Sequence, residues 1–235
     1  MKKHVWFNLE EHPEIFYGQY IVPNFISNSI AIRCSESHWL ILSPGKEMLN
    51  QLPEGLDPDN HHLSIVFPNS FHHMGVKAWI EKFPNHSLYA SQKAAKRLAT
   101  LGFDNIQALE SKQPEIPEGY KFAVPPGHRG GDIWLCKITE NAANVWITCD
   151  SFLNYERVSN QPIARFLQKL LGAAPGLKIS QVIKWLIMDK YSAFKPWVLK
   201  QLAEDKPEIL IPSHGEIDRD KDLTSRLEQL VKSRL

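Results

Sequence analysis

Four histidines and one aspartate follow predicted β-strands closely, and their side-chain types are those of metal ligands and acid–base catalysts. They are His72, His73, His128, Asp150 and His214. Ligand clefts of α/β folds commonly open at the carboxyl ends of strands, where rigid strands hold the loops. Imidazole nitrogen together with carboxylate oxygen suits Zn, Fe or Mn better than Mg or Ca. We therefore predict that the five side chains converge on one metal-type cleft.

Taken one at a time, these residues also have simpler interpretations. For His72 and His73 the alternative is a polar pair in a solvated loop. For Asp150 it is a turn residue after a strand, and for His214, which precedes a glycine, it is a structural loop residue. The shared cleft is favoured because the set follows four different strands in order.

The elements that must position these residues alternate between strands and helices. Short β-branched and aromatic runs predict strands at residues 5–9, 29–34, 39–42, 63–67, 88–90, 106–109, 120–124, 132–138, 144–149 and 209–211. Helical spacing of apolar residues predicts helices at 74–83, at 92–101 behind an N-cap at Ser91, and at 219–235. This order predicts an α/β fold in which two sheets carry helices on their outer faces.

A longer helical segment is predicted at about 161–204, and it carries two apolar stripes. The stripes consist of Ile163, Phe166, Leu167, Leu170 and Leu171, and of Val182, Ile183, Trp185 and Leu186. Core packing is the simplest role for both stripes. A roof over the cleft and a homodimer face are the alternatives.

Length and composition are those of an ordinary globular chain. With 235 residues, 43% of them hydrophobic, the chain is predicted to form one domain over residues 1–235, with two small domains as the alternative. Because 27 Lys and Arg nearly balance 26 Asp and Glu, nucleic acid is not expected as a partner. Three cysteines without a CxxC pair predict reduced thiols and a cytoplasmic location. No apolar leader and no apolar stretch of about 20 residues is present, so no membrane partner is expected.

The ordered motifs resemble those of the metallo-β-lactamase-fold superfamily, whose hallmark is HxHxDH after a strand, then a distant His, an Asp and a final His. Here the first motif has become PNSFHH at residues 68–73, so only its last histidine, His73, is retained. The later elements match as PGH at 126–128, TCD at 148–150 and IPSHG at 211–215. The first run, with Trp79 and Pro84 after it, is similar to the uncharacterised DUF4336-like branch. The resemblance implies an α/β fold of the αββα four-layer sandwich type.

The resemblance also implies which metal ligands have been lost. In the family pattern, the first metal is held by the two leading histidines of the motif and the later histidine. Of that site this chain keeps His128 and the bridging Asp150. The second site keeps His73, Asp150 and His214, with His72 standing where the family has aspartate. We therefore expect one divalent metal, Zn ahead of Fe or Mn, or none.

Two functions from different classes follow from the resemblance. The first is a metal-dependent hydrolase with a reduced site that acts on an unknown small molecule, either an ester, a thioester, a lactone or a phosphodiester. In that case Asp150 and His128 are the catalytic candidates, with His128 as a general base or a substrate-orienting group. The second is a non-catalytic protein that keeps the fold as a binding or scaffold module.

Overall fold

The computed structural model describes residues 5–22, 25–158, 161–179, 184–185 and 188–235, and these form two compact units. The first unit lies within residues 5–118, and the second is built mainly from Gly119–Leu235. The expectation of one domain over residues 1–235 stays a prediction.

The first unit is a mixed sheet with two helices and one short 3₁₀ helix. Its strands are β1 (Trp6–Asn8), β2 (Ile15–Val22), β3 (Phe25–Arg33), β4 (His38–Leu42), β5 (His62–Val66), β6 (His86–Ala90) and β7 (Ile106–Ala108). Its helices are the 3₁₀ helix Lys46–Asn50, α1 (Val76–Lys82) and α2 (Gln92–Thr100). Strands β1 to β4 follow one another in space as in sequence, with β3 antiparallel to β4.

The second half of this sheet is parallel from β4 through β5 and β6 to β7. Helices α1 and α2 connect its last three strands, because parallel neighbours need a crossover that returns the chain to the same edge. The Ser91 side chain accepts a hydrogen bond from the backbone N–H of Ala94 and begins α2, as its sequence position predicts. The carboxyl ends of the four strands therefore meet at one edge, where the loop at 68–73 begins.

The second unit contains a five-stranded sheet, a three-stranded group and three helices. Its strands are β8 (Tyr120–Ala123), β9 (Trp134–Lys137), β10 (Val145–Ile147), β11 (Leu153–Tyr155), β12 (Gly176–Lys178), β13 (Ile209–Ile211), β14 (His214–Gly215) and β15 (Asp218–Arg219). Its helices are α3 (Pro162–Leu170), α4 (Tyr191–Asp205) and α5 (Leu223–Arg234). The five-stranded sheet has the order β15-β13-β10-β9-β8, and β11 lies between β12 and β14.

An aromatic cluster forms the core of the second unit. Trp134 on β9 is fully buried, and its ring centroid lies 5.0 Å from that of Trp146 on β10 and 6.0 Å from that of Phe194 on α4. The Trp146 indole N–H donates to the carboxylate of Asp205 at 3.0 Å, so the polar edge of this buried ring has a partner. The cluster fixes α4 against the five-stranded sheet.

The prediction of one helical segment at about 161–204 is wrong. Within this range the chain forms α3 and then the strand β12, and α4 begins at Tyr191. Gly172 has a φ of 60°, and Pro175 and Gly176 follow within four residues, so three residues that disfavour helix continuation lie close together. The expected core role also fails for Ile163, Phe166 and Leu170, which are exposed. The side chain of Leu167 and residues 182, 183 and 186 lie outside the described residues.

All three cysteines are free thiols. Burial raises the pKa of Cys34 to about 12, and burial also raises the pKa values of Cys136 and Cys149. In the described part of the chain, no helix has the length and apolar character needed to cross a bilayer.

His38, at the start of β4, carries a pH dependence of folding. Its Nε2 lies 2.8 Å from the Ser64 hydroxyl, and its ring centroid lies 5.4 Å from that of His62. Burial lowers the pKa of His38, the neighbouring His62 lowers it further, and Glu115 opposes both. The unfolded chain therefore binds this proton more readily than the folded chain. Stability is expected to fall as the pH drops through the ordinary histidine pKa of 6.5, until folded His38 is itself protonated.

Urea unfolding at about pH 7.5 and about pH 5.5 tests this expectation. The His38→Gln variant should lose less stability between the two pH values than the unmodified protein. His86→Gln is the matched control, because the His86 ring bonds the Phe83 carbonyl oxygen at 2.8 Å on the same sheet. Equal pH slopes in the His38→Gln variant and the unmodified protein would contradict the assignment.

Candidate functional site

In the first unit, the loop after β5 holds His72 in a defined position. The Asn69 side-chain oxygen accepts hydrogen bonds from the backbone N–H groups of Phe71 and His72, at 2.8 and 3.2 Å. The Ser43 hydroxyl, just beyond β4, lies 2.7 Å from His72 Nδ1. Strands β4 and β5 are parallel neighbours, so the residues that follow them lie at the same edge. The contact orients the His72 imidazole.

His73, the next residue, is half-buried and packs edge-on against Phe103, with ring centroids 6.1 Å apart. Burial lowers the pKa of His73, and the nearby Arg97 guanidinium lowers it further. The imidazole is therefore held in its neutral form, which is the form that binds metals. Both histidines of the first motif thus occupy ordered positions rather than a freely solvated loop.

In the second unit, strand register brings Asp150 and His214 together. Strands β10 and β13 are parallel, and Ile147 pairs with Ile211. Asp150 and His214 each lie three residues beyond these partners, so the two chains deliver them side by side. His214 Nε2 lies 3.3 Å from the Asp150 carboxylate, which is 7% exposed. The sequence predicted both residues, and the structure places them in contact.

His128 occupies a different environment in the second unit, inside the loop between β8 and β9. It is 2% exposed, and its ring meets Phe194 edge-on with centroids 4.9 Å apart. Its Nδ1 lies 3.0 Å from the carboxylate of Asp132, which is fully buried, although the contact lacks the alignment of a good hydrogen bond. The Ser151 hydroxyl donates to the same carboxylate at 3.4 Å. His128 therefore belongs to a buried polar cluster.

Sequence reasoning missed two residues of the second unit that bear on this chemistry. Asp132 was assigned to a predicted strand, and only its spacing of four residues from His128 signals the pairing. The Tyr155 hydroxyl on β11 is buried and has no hydrogen-bond partner among the described residues. Burial raises the pKa of Tyr155, and the Asp150 carboxylate raises it further. Tyr155 is thus a neutral hydrogen-bond donor within electrostatic range of Asp150.

The prediction that all five residues share one cleft stays a prediction, as does the metal role of each. In the second unit, two glycines beside the predicted site residues occupy positions where a larger side chain would not fit. Gly127 has a φ of 79°, and a Cβ there would lie 2.2 Å from the Lys190 carbonyl oxygen. Gly215 has a φ of 98° and is equally restricted.

Comparison with known proteins gives matches only at the level of structure. No protein-family model matches the sequence, and no curated protein matches it. A flavoprotein from Thermotoga maritima is 14% identical with a TM-score of 0.65, over 99% of this chain and 61% of that one. The Flv1 flavodiiron core from Synechocystis sp. is 15% identical with a TM-score of 0.65, over 98% and 61%. The DIM-1 metallo-β-lactamase is 14% identical with a TM-score of 0.56, over 99% and 98%.

These similarities establish the fold. The chain is an α/β protein with mixed sheets that matches metallo-β-lactamase-fold structures over nearly its whole length, which confirms the predicted fold class. It spans 61% of the Thermotoga and Synechocystis proteins. At 14–15% identity the likeness concerns the fold alone. Membership of the DUF4336-like branch stays a prediction.

Proposed function

We propose that this protein is a metal-dependent hydrolase with a reduced site that binds a single divalent ion. The observation that carries the proposal is the pairing of Asp150 with His214, 3.3 Å apart, beyond two parallel strands of a metallo-β-lactamase-like fold. The reduction to one ion follows from the first motif, where PNSFHH at 68–73 lacks the two leading histidines of the family.

The donor set fits a borderline metal ion. A carboxylate as buried as that of Asp150 is stable only when it is paired, and both an imidazole and a metal ion provide such a pairing. One carboxylate oxygen and one imidazole nitrogen suit Zn, Fe or Mn, in line with the expectation of Zn ahead of the other two. His72 and His73 are proposed as the further ligands. That step rests on the order of the motifs in the sequence.

When bound, the ion would lower the pKa of a coordinated water and polarise a carbonyl or phosphoryl oxygen. The protein's own groups would do the rest. Tyr155, neutral and buried, can donate a hydrogen bond to an oxygen that gains negative charge. The Asp150 carboxylate can orient the His214 imidazole. Esters, thioesters, lactones and phosphodiesters all present such an oxygen, and they remain the proposed substrate classes.

His128 is proposed to support this site rather than to act in it. Its ring packs against Phe194, lies 3.0 Å from the Asp132 carboxylate and is 2% exposed, so its surroundings suit a supporting role better than contact with substrate. A cytoplasmic location is part of the proposal, because the three thiols are free and buried or half-buried. A homodimer is also retained as a proposal.

Metal analysis of protein purified without chelators tests the proposal. We expect about one Zn, Fe or Mn per chain, and a content at least about tenfold lower in Asp150→Asn and His214→Ala, because each removes a ligand. His86→Ala is the matched control, since His86 is half-buried and lies outside the predicted set. Folded protein that stays metal-free after Zn and Mn are offered would rule the hydrolase out.

The eroded first motif also favours a second function, that of a non-catalytic binding module. The two functions differ in turnover. A module that binds metal without catalysis would give the same metal stoichiometry but no hydrolysis of ester, thioester, lactone or phosphodiester probes. Loss of turnover in Tyr155→Phe at unchanged metal content would support the hydrolase.

A further inference from the structure

Helix α3 of the second unit exposes an apolar face to solvent. Ile163, Phe166 and Leu170 are 78%, 65% and 65% exposed. Their spacing of three and four residues places them on one face of the helix. Single exposed apolar residues are common on proteins, but three large ones on one helix face mark an interaction surface.

The segment around this face is strongly basic. Residues 157–195 contain one acidic residue, Asp189, and seven basic ones, a net charge of +6 against +1 for the whole chain. The basic residues are Arg157, Arg165, Lys169, Lys178, Lys184, Lys190 and Lys195. On α3 itself, Arg165 lies on the side opposite the apolar face and Lys169 lies at its flank. The helix is therefore cationic and amphipathic.

Two exposed aromatic residues lie further along the same basic segment. Trp185 is 63% exposed, and it is the one exposed tryptophan among the seven, all of which the structure describes. Tyr191 is 44% exposed, and the ammonium of Lys184 lies 4.8 Å from the centre of its ring. Tryptophan and tyrosine beside lysine are typical of protein surfaces that contact lipid headgroups.

We propose that this basic apolar surface, formed by α3 together with Lys184, Trp185 and Tyr191, docks on an anionic lipid membrane. The positive charge meets anionic headgroups, and the exposed apolar side chains enter the boundary with the acyl chains. A second copy of the chain is disfavoured as the partner of this surface, since two such basic surfaces would repel each other. A nucleic acid could stack on Phe166 and Trp185 but would leave the aliphatic Ile163 and Leu170 side chains in water, so it is disfavoured. A helix that lies on a membrane needs no spanning length.

Co-sedimentation of the full chain with lipid vesicles tests the proposal. We expect binding at least about tenfold tighter to vesicles that contain phosphatidylglycerol than to phosphatidylcholine alone, at about 0.1 M salt. The binding should weaken as salt rises. A blue shift of the fluorescence should accompany it and disappear in Trp185→Phe, because the other six tryptophans are buried or half-buried.

Paired variants test whether vesicle binding depends on this surface or reflects non-specific adsorption to lipid. Ile163→Ser and the double variant Arg165→Glu with Lys169→Glu should each weaken binding at least about tenfold. Ile21→Ser, at a position 60% exposed in the first unit, and Lys96→Glu, on α2, should leave it unchanged. Three outcomes would each overturn the proposal: no vesicle binding, equal binding to both vesicle types, or a dimer in solution that Ile163→Ser dissociates.

Discussion

Replacing His128 with alanine is expected to lower the free energy of unfolding by about 3–5 kcal/mol while the folded protein keeps its metal. The substitution leaves the buried Asp132 carboxylate without the imidazole that lies 3.0 Å from it. It also removes the edge-on contact with Phe194 and opens a cavity in the core of the second unit. Urea unfolding measures the stability, and metal analysis of the folded fraction measures occupancy.

Two further variants show whether the loss comes from the contact between His128 and Asp132. His128→Gln keeps a donor near Asp132 and should cost less than alanine. Asp132→Asn removes the charge, so combined with His128→Ala it should cost less than the sum of the single changes. If His128→Ala instead lost the metal at an unchanged unfolding midpoint, His128 would be a ligand, as the family resemblance implies.

The local elements of the fold were predictable from the sequence because their signals are local. Strand β4 contains the unbroken apolar run at residues 39–42, and Ser91 lies where an N-cap side chain accepts a hydrogen bond from the first turn of α2. The site pair was predictable for a related reason. Asp150 and His214 each follow an apolar strand by the same number of residues, so parallel pairing alone aligns them.

The remaining elements depend on partners that are distant in the chain. Strands β11, β12, β14 and β15 have two or three residues each, too few for a periodic pattern. Helix α3 was expected in the core because its apolar spacing is regular. Spacing alone, however, does not distinguish a face that packs on protein from one that remains exposed. Asp132 was not identified as a site residue because it was assigned to the start of a predicted strand.

Replacing Gly215 with alanine is expected to lower the free energy of unfolding by about 3 kcal/mol or more and to lower metal content. Gly215 follows His214 with a φ of 98°, which L-residues rarely adopt, and a Cβ there would overlap the backbone carbonyl oxygen of Asn154. That oxygen accepts a hydrogen bond from the backbone N–H of Glu216, and Asn154 pairs with Gly215 between β11 and β14. The overlap can be relieved only if β14 shifts, and His214 then moves with it.

Gly172→Ala is the matched control for this prediction, because it separates backbone strain from overlap. Gly172 also has a positive φ, 60°, but a Cβ there would meet no atom within 4 Å. Its replacement should therefore cost only the left-handed conformation, about 1–2 kcal/mol, and leave metal content unchanged. Urea unfolding and metal analysis of both variants give the comparison. Equal destabilisation by the two substitutions would mean that β14 can shift away from β11 at little cost in free energy. The β11–β14 pairing would then not hold His214 in place.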